Sequence, residues 1–213
     1  MFSRTMNKNL MTVLGASLLI NGFVVLSYYL SVAPIGTDFF LFISTFAVLP
    51  LLVAFLIAPI SLILLFWRRY RVTALTVFLG CVIYLVVGIA GIRLSNEIRH
   101  NGFVNLAHRS RPLISAIQQF EAKYGKPPER IEQLVPEFLS AVPNTGIGAY
   151  PNYEYITVKD AKTYEGNPWV LRVATSTGAL NWDSFLYFPK QNYPQVGYGG
   201  VLERVEDWAY VYE

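Results

Sequence analysis

Negative charge is almost missing from the first half of this 213-residue chain. Of its fourteen carboxylates only Asp38 precedes Glu97, and no Asp, Glu, Lys, Arg or His lies in the runs 10–33, 39–67 or 72–92. Cysteine is equally scarce. Cys81 stands alone, which excludes an intrachain disulfide, and its apolar surroundings suit a packed side chain rather than a reactive thiol. The only histidines, His100 and His108, come without a neighbouring cysteine or second-carboxylate pattern, so they do not make a metal set. No Gly-x-Ser-x-Gly stretch marks a nucleophile. A net charge of +3 without a basic stripe gives no reason to expect a nucleic-acid partner.

What is present is apolar, and it is concentrated before Arg93. Hydrophobic residues make up 54% of the chain, which is high for a water-soluble protein. The run 10–33 is long enough to cross a bilayer as a helix. It exceeds the roughly 7–15 apolar residues of a signal-peptide core, and Pro34 follows "SVA" where a cleavage site would end, so a retained span is expected. The run 39–67 contains Pro50 and Pro59, each of which removes a helical N–H and crowds the preceding turn, so a kinked or tilted helix is expected there. The run 72–92 is closed by Arg93. Proton and ion paths usually carry charge inside the membrane, and these runs carry none, which predicts an anchor rather than a pore. Asn21 is placed to hydrogen-bond a neighbouring helix, and Gly15, Ala16 and Ser17 to let helices approach closely.

Arg4 and Lys8 precede the first run and Arg68, Arg69 and Arg71 separate the second from the third, whereas "PIGTD" at 34–38 has no Lys or Arg. The positive-inside rule therefore puts the N-terminus and the arginine loop in the cytoplasm. Three crossings leave 95–213 on the far side. The expected setting is a bacterial cytoplasmic (inner) membrane, with a multi-pass region at 1–94 and a periplasmic or extracellular domain at 95–213.

The polar part begins as a helix. Leu113, Ile117, Phe120 and Tyr124 repeat at helical spacing, with Ile114 and Ala116 alongside. Either Ser110 caps this helix with Pro112 in its first turn, or Pro112 interrupts one helix continuing from the third span. Gly125 ends it, and Pro127 and Pro128 prevent its renewal. "ERIEQLVPEFLS" predicts a short second helix with Glu129 and Glu132 in its first turn, divided at Pro136. Strand patterns follow at 153–158, 169–176 and 184–188, with "GNP" and "STGALN" as turns, and "VLERVEDWAYVYE" supplies one or two more strands. A helix followed by four or five antiparallel strands is an α+β arrangement.

The stretch "LISAIQQFEAKYGKPPERIEQLVPEFLSAVPNTG" resembles the one that leaves the long first helix of type IV pilin-like and pseudopilin proteins. Tyr124, Gly125 and Pro127–Pro128 stand at the family's Tyr-x-x-x-Gly-x-x-Pro turn. Ile131, Leu134, Val135, Pro136, Phe138, Leu139 and Pro143 stand along its Leu-x-x-Leu-Val-Pro-x-Tyr-Leu phrase. The resemblance implies a long helix over 72–124, half in the membrane and half packed on an antiparallel sheet. The family's leader, cleavage glycine and early glutamate are missing before Val72, so what carries over is a domain shape, not assembly into a filament.

Chemistry is sparse. Asp183 and Asp207 are each isolated beside a tryptophan, without the oxygen-rich cluster that calcium requires. "SNEIR" and "AHRSR" read as a charged collar at the membrane exit, with Arg109 and Arg111 available to lipid headgroups. The many tyrosines are expected to pack on and rim the sheet. No catalytic, cofactor-binding or metal-binding residues are assigned. The expected function is non-enzymatic: an exported domain that contacts another envelope protein or a second copy, as a subunit of an envelope complex. The competing expectations are a sensor or a glycan- or small-ligand-binding module using the aromatic sheet, and a membrane enzyme using His100 or His108.

Overall fold

A computed structural model of the chain describes residues 2–37, 39–157, 163–176 and 182–212. Among the described residues four α-helices come first: α1 (Phe2–Val32), α2 (Phe39–Thr45), α3 (Val48–Leu64) and α4 (Arg71–Tyr124). Six strands follow: β1 (Glu154–Thr157), β2 (Trp169–Ala174), β3 (Ser184–Tyr187), β4 (Val196–Gly197), β5 (Gly200–Val205) and β6 (Trp208–Tyr212). The architecture is α+β, as expected. Two compact units form, one from Met1–Leu30 with Phe39–Ile98 and one from Ser31–Asp38 with Arg99–Glu213. Val158 and the turn expected over 177–181 lie outside the described residues.

The first unit is helical. Arg4–Val32, Phe39–Leu64 and Arg71–Tyr124 are each long and apolar enough to cross a membrane, by length and composition. The proline-bearing run is interrupted at 46–47 by 3₁₀-type bonding, with Ala47 still in the right-handed helical region, which is compatible with the kink expected there. Phe46 N–H bonds Ile43 O at 3.1 Å and Ala47 N–H bonds Ser44 O at 3.0 Å, a tightened turn that ends α2. Pro50 then falls in the first turn of α3, where a missing N–H costs no helical bond. Pro59 stays inside α3.

Several polar groups in this apolar unit bond within their own helices, which is the cheapest way to satisfy them without water, whereas among the described residues the buried Tyr84 and Ser95 hydroxyls find no partner. The Ser17 hydroxyl donates to Val13 O at 2.7 Å, Ser27 to Phe23 O at 2.8 Å and Ser61 to Ala58 O at 2.7 Å. Asn21 does the same, its amide donating to Ser17 O at 2.9 Å. The interhelical bond expected of it is replaced by packing over Gly91, where a Cβ would sit 3.3 Å from the asparagine side chain. Of the three small residues expected to admit close approach, Ser17 is fully buried while Gly15 and Ala16 are exposed. Gly15 faces open space, whereas a Cβ on Gly88 of α4 would meet Leu51 at 2.3 Å.

In the second unit α4 runs unbroken past Pro112. Ser110 is therefore not a cap. Its buried hydroxyl donates to Ala107 O at 2.7 Å and accepts from Trp208 Nε1 at 3.0 Å. Gly125 ends the helix with φ +73°, its N–H bonding Glu121 O at 2.8 Å. The expected second helix shrinks to one 3₁₀ turn, Ile131–Leu134, followed by a cis Val135–Pro136 bond. Gln133 reaches back to the N–H of Glu129 at 2.7 Å, and Ile131 and Leu134 face the core.

The sheet is antiparallel with strand order β1-β2-β3-β6-β5-β4. The terminal strand β6 thus lies inside the sheet, between β3 and β5. Period-two alternation gives it two apolar faces. Leu171, Val173, Phe185, Tyr187, Trp208 and Tyr210 pack toward Phe103, Leu106, Leu113 and Ile117 of α4. Val170, Leu186, Phe188 and Val211 face the other way, beneath Tyr164, Tyr193 and Tyr198. Tyr193 pins that cover by accepting from Phe188 N–H at 2.8 Å and donating to Asp207 O at 2.8 Å. The segment 31–37 belongs to this unit too. Gly148 N–H bonds Ala33 O at 2.9 Å, and a Cβ on Gly148 would stand 2.7 Å from Pro34 O and Gly36 O, so only glycine admits that contact.

Candidate functional site

The helix face that meets the sheet continues, one turn before Phe103, into an arginine. Arg99 is 8% exposed. A buried guanidinium must be hydrogen-bonded or it destabilises the fold by several kcal/mol. Its Nη2 donates to Thr175 O at 2.8 Å and to Tyr210 Oη at 3.0 Å, and its Nη1 to Ser31 Oγ at 3.4 Å. Its plane lies over the Phe103 ring at 4.9 Å, with Tyr210 at 5.7 Å and Tyr150 at 5.9 Å. Tyr210 Oη in turn donates to Asp183 Oδ2 at 2.6 Å. One polar chain therefore ties α4, the 31–37 segment, the ends of β2 and β3 and the terminal strand together.

Electrostatics favour the charged guanidinium of Arg99 and the neutral phenol of Tyr210. Burial opposes the Arg99 charge, and the phenol oxygens of Tyr210 and Tyr150 more than offset that, holding the guanidinium above its ordinary range. Burial also pushes the Tyr210 phenol well above the ordinary tyrosine range, with the Arg99 charge pulling the other way. At neutral pH Arg99 is a cation and Tyr210 a neutral donor to Asp183. The arrangement holds elements in register.

The residues weighed from sequence are placed as follows. His100 and His108 are both exposed on α4. Asp183 is buried in the Arg99 chain, while the buried Asp207 Oδ1 atom has no hydrogen-bond partner among the described residues. Among the described residues no three His, Cys, Asp or Glu side chains gather as a metal site. The charged collar is not a uniform surface feature, because Arg99 of "SNEIR" is buried. In "AHRSR", Arg109 Nε donates to Thr145 O at 2.8 Å and exposed Arg111 pairs with Glu206 at 3.6 Å. Arg99 carried a readable signal. Counting back by helical spacing from Ile117 through Leu113, Ser110, Leu106 and Phe103 lands on it, so it continues the buried stripe.

A second feature lies where the sheet outruns the helix. Cross-strand register aligns Val196 with Val201 and Val201 with Tyr212 on one face. It is the face that carries Tyr210 and Trp208 onto α4. These three residues are 70%, 57% and 49% exposed, so the row is bare. Glu203 lies beside it and accepts a bond from Tyr212 Oη at 2.7 Å. An apolar cross-strand row on a sheet edge with one acceptor is contact-surface chemistry.

Comparison with family models, curated proteins and solved structures finds no match to this chain.

Proposed function

We propose that this chain is a non-enzymatic protein of a bacterial inner membrane. Its three apolar segments anchor an extracytoplasmic α+β unit of pilin-like shape that contacts another envelope protein. The observation that carries this reading is the bare row Val196–Val201–Tyr212, at the edge of a sheet whose large buried side chains are covered by α4 on one face and by Tyr164, Tyr193 and Tyr198 on the other. The charge-free apolar segments support an anchoring role, and the basic residues around them support a cytoplasmic N-terminus. The Arg99 chain has the matching job of holding the sheet against its helix, so that the row is presented on a rigid base.

The test is crosslinking in cells followed by co-purification of the full chain. The unaltered protein is expected to bring down one reproducible partner. Val201→Asp with Tyr212→Asp places two carboxylates on the row and is expected to abolish that recovery while leaving expression and membrane extraction unchanged. Recovery of the same partner by the double variant would remove this surface from consideration.

A further inference from the structure

The helical unit holds a cleft of about 530 Å³ between the start of α1, the turn before α4 and the first two turns of α4. Its lining has two characters. Arg68, Arg69, Thr5, Asn9 and Thr73 are polar, while Met6, Val72 and Val77 are apolar. Arg4, Lys8 and Arg71 add positive charge in the same segments, against no carboxylate before Asp38. Among the described residues none of these five cations takes part in an ion pair. Arg69 makes a ring contact, 5.7 Å from the centre of Tyr70.

We infer that this cleft binds the phosphate of an anionic phospholipid. Guanidinium groups present planar pairs of donors that match phosphate oxygens, and two of them side by side make a doubly cationic mouth with no acidic partner among the described residues. The side-chain amide of Asn9 and the hydroxyl of Thr73 supply further donors at the same place. The apolar lining distinguishes a lipid from a free anion, because acyl carbons adjoining the phosphate would cover Met6, Val72 and Val77. Basic pockets between apolar helices are a recurrent way to hold anionic headgroups. The geometry also gives the arginine turn a role beyond setting orientation.

The experiment measures lipid retention by the full-length chain in detergent, by native mass spectrometry, with phosphatidylglycerol or phosphatidylcholine of identical acyl chains. Preferential retention of phosphatidylglycerol is expected. Arg68→Gln with Arg69→Gln is expected to weaken it about thirtyfold, since each basic residue near an anionic surface contributes roughly a factor of five. Thr73→Glu, which keeps both arginines but places a carboxylate in the cleft, is expected to weaken it as well. Lys126→Gln with Arg172→Gln removes equal charge elsewhere and is expected to change nothing. Equal retention of the two lipids, or unchanged retention by both cleft variants, would overturn the inference. Displacement of bound phosphatidylglycerol by inorganic phosphate alone would assign the cleft to free anions and overturn the lipid assignment.

Discussion

Arg99→Ala destabilises the sheet unit by about 3–5 kcal/mol, the range found when one member of a buried charged network is removed. Several losses act together. Thr175 O loses the donor at 2.8 Å and Tyr210 Oη the donor at 3.0 Å, and each unpaired buried group costs roughly 1–3 kcal/mol. The cation also leaves the faces of Phe103, Tyr150 and Tyr210, contacts that contribute most where water is excluded. Arg99→Lys recovers only part of this, because an ammonium carries all its donors on one nitrogen and does not span the acceptors reached from the two separate guanidinium nitrogens. Tryptophan fluorescence of the full chain in detergent, followed through denaturant, measures the change because Trp169 and Trp208 are both fully buried in this core. A midpoint and slope equal to those of the unaltered protein would show that Arg99 is not a structural centre.

Trp208→Ala is expected to cost a similar amount, about 3–5 kcal/mol, from lost burial and the cavity left behind. Its ring stacks on Phe185 at 4.8 Å and packs against Tyr187 at 5.5 Å and Tyr153 at 6.2 Å. Its Nε1 reaches Ser110 on α4 at 3.0 Å. Trp208→Phe keeps most of the ring contact and loses the bond, so a smaller loss is expected. A double-mutant cycle with Ser110→Ala separates the two contributions, and a coupling of about 1 kcal/mol is expected for the hydrogen bond. Zero coupling would mean that Trp208 meets α4 by packing alone, leaving the Arg99–Tyr210 bond as the hydrogen bond between that helix and β6.

These two side chains also mark where the sequence was readable and where it was not. The strands were legible because alternation is local: Trp169, Leu171 and Val173 point one way and Val170 and Arg172 the other, and this pattern survives in β2. The α4 stripe was legible from Leu113 to Phe120, whereas Tyr124, read as its last member, is 49% exposed. Its extension to Arg99 was obscured because a charge at a membrane exit ordinarily meets water or headgroups, and here the partners come from far along the chain: Ser31, Thr175 and Tyr210. Ser110 was ambiguous for a related reason. A serine two residues before a proline has the pattern of a helix start, and only the bond from Trp208, 98 positions away, reveals a helix interior. The interruption before Pro50 agrees with the tolerance of proline in a first turn, and it is compatible with the kink that two prolines in one apolar run suggest. The insertion of β6 between β3 and β5, and hence the bare row at the sheet edge, is topological, and alternation within single strands does not encode strand order.

The central claim is that the row at the β4–β5 edge meets a protein partner. Photocrosslinking in intact cells tests it most directly, with a benzophenone amino acid at position 201 and, for comparison, at position 154 on the opposite edge strand. The account expects a discrete, reproducible protein adduct from position 201 and none of the same size from position 154. Labelling of lipid alone from position 201, or identical products from both positions, would contradict it.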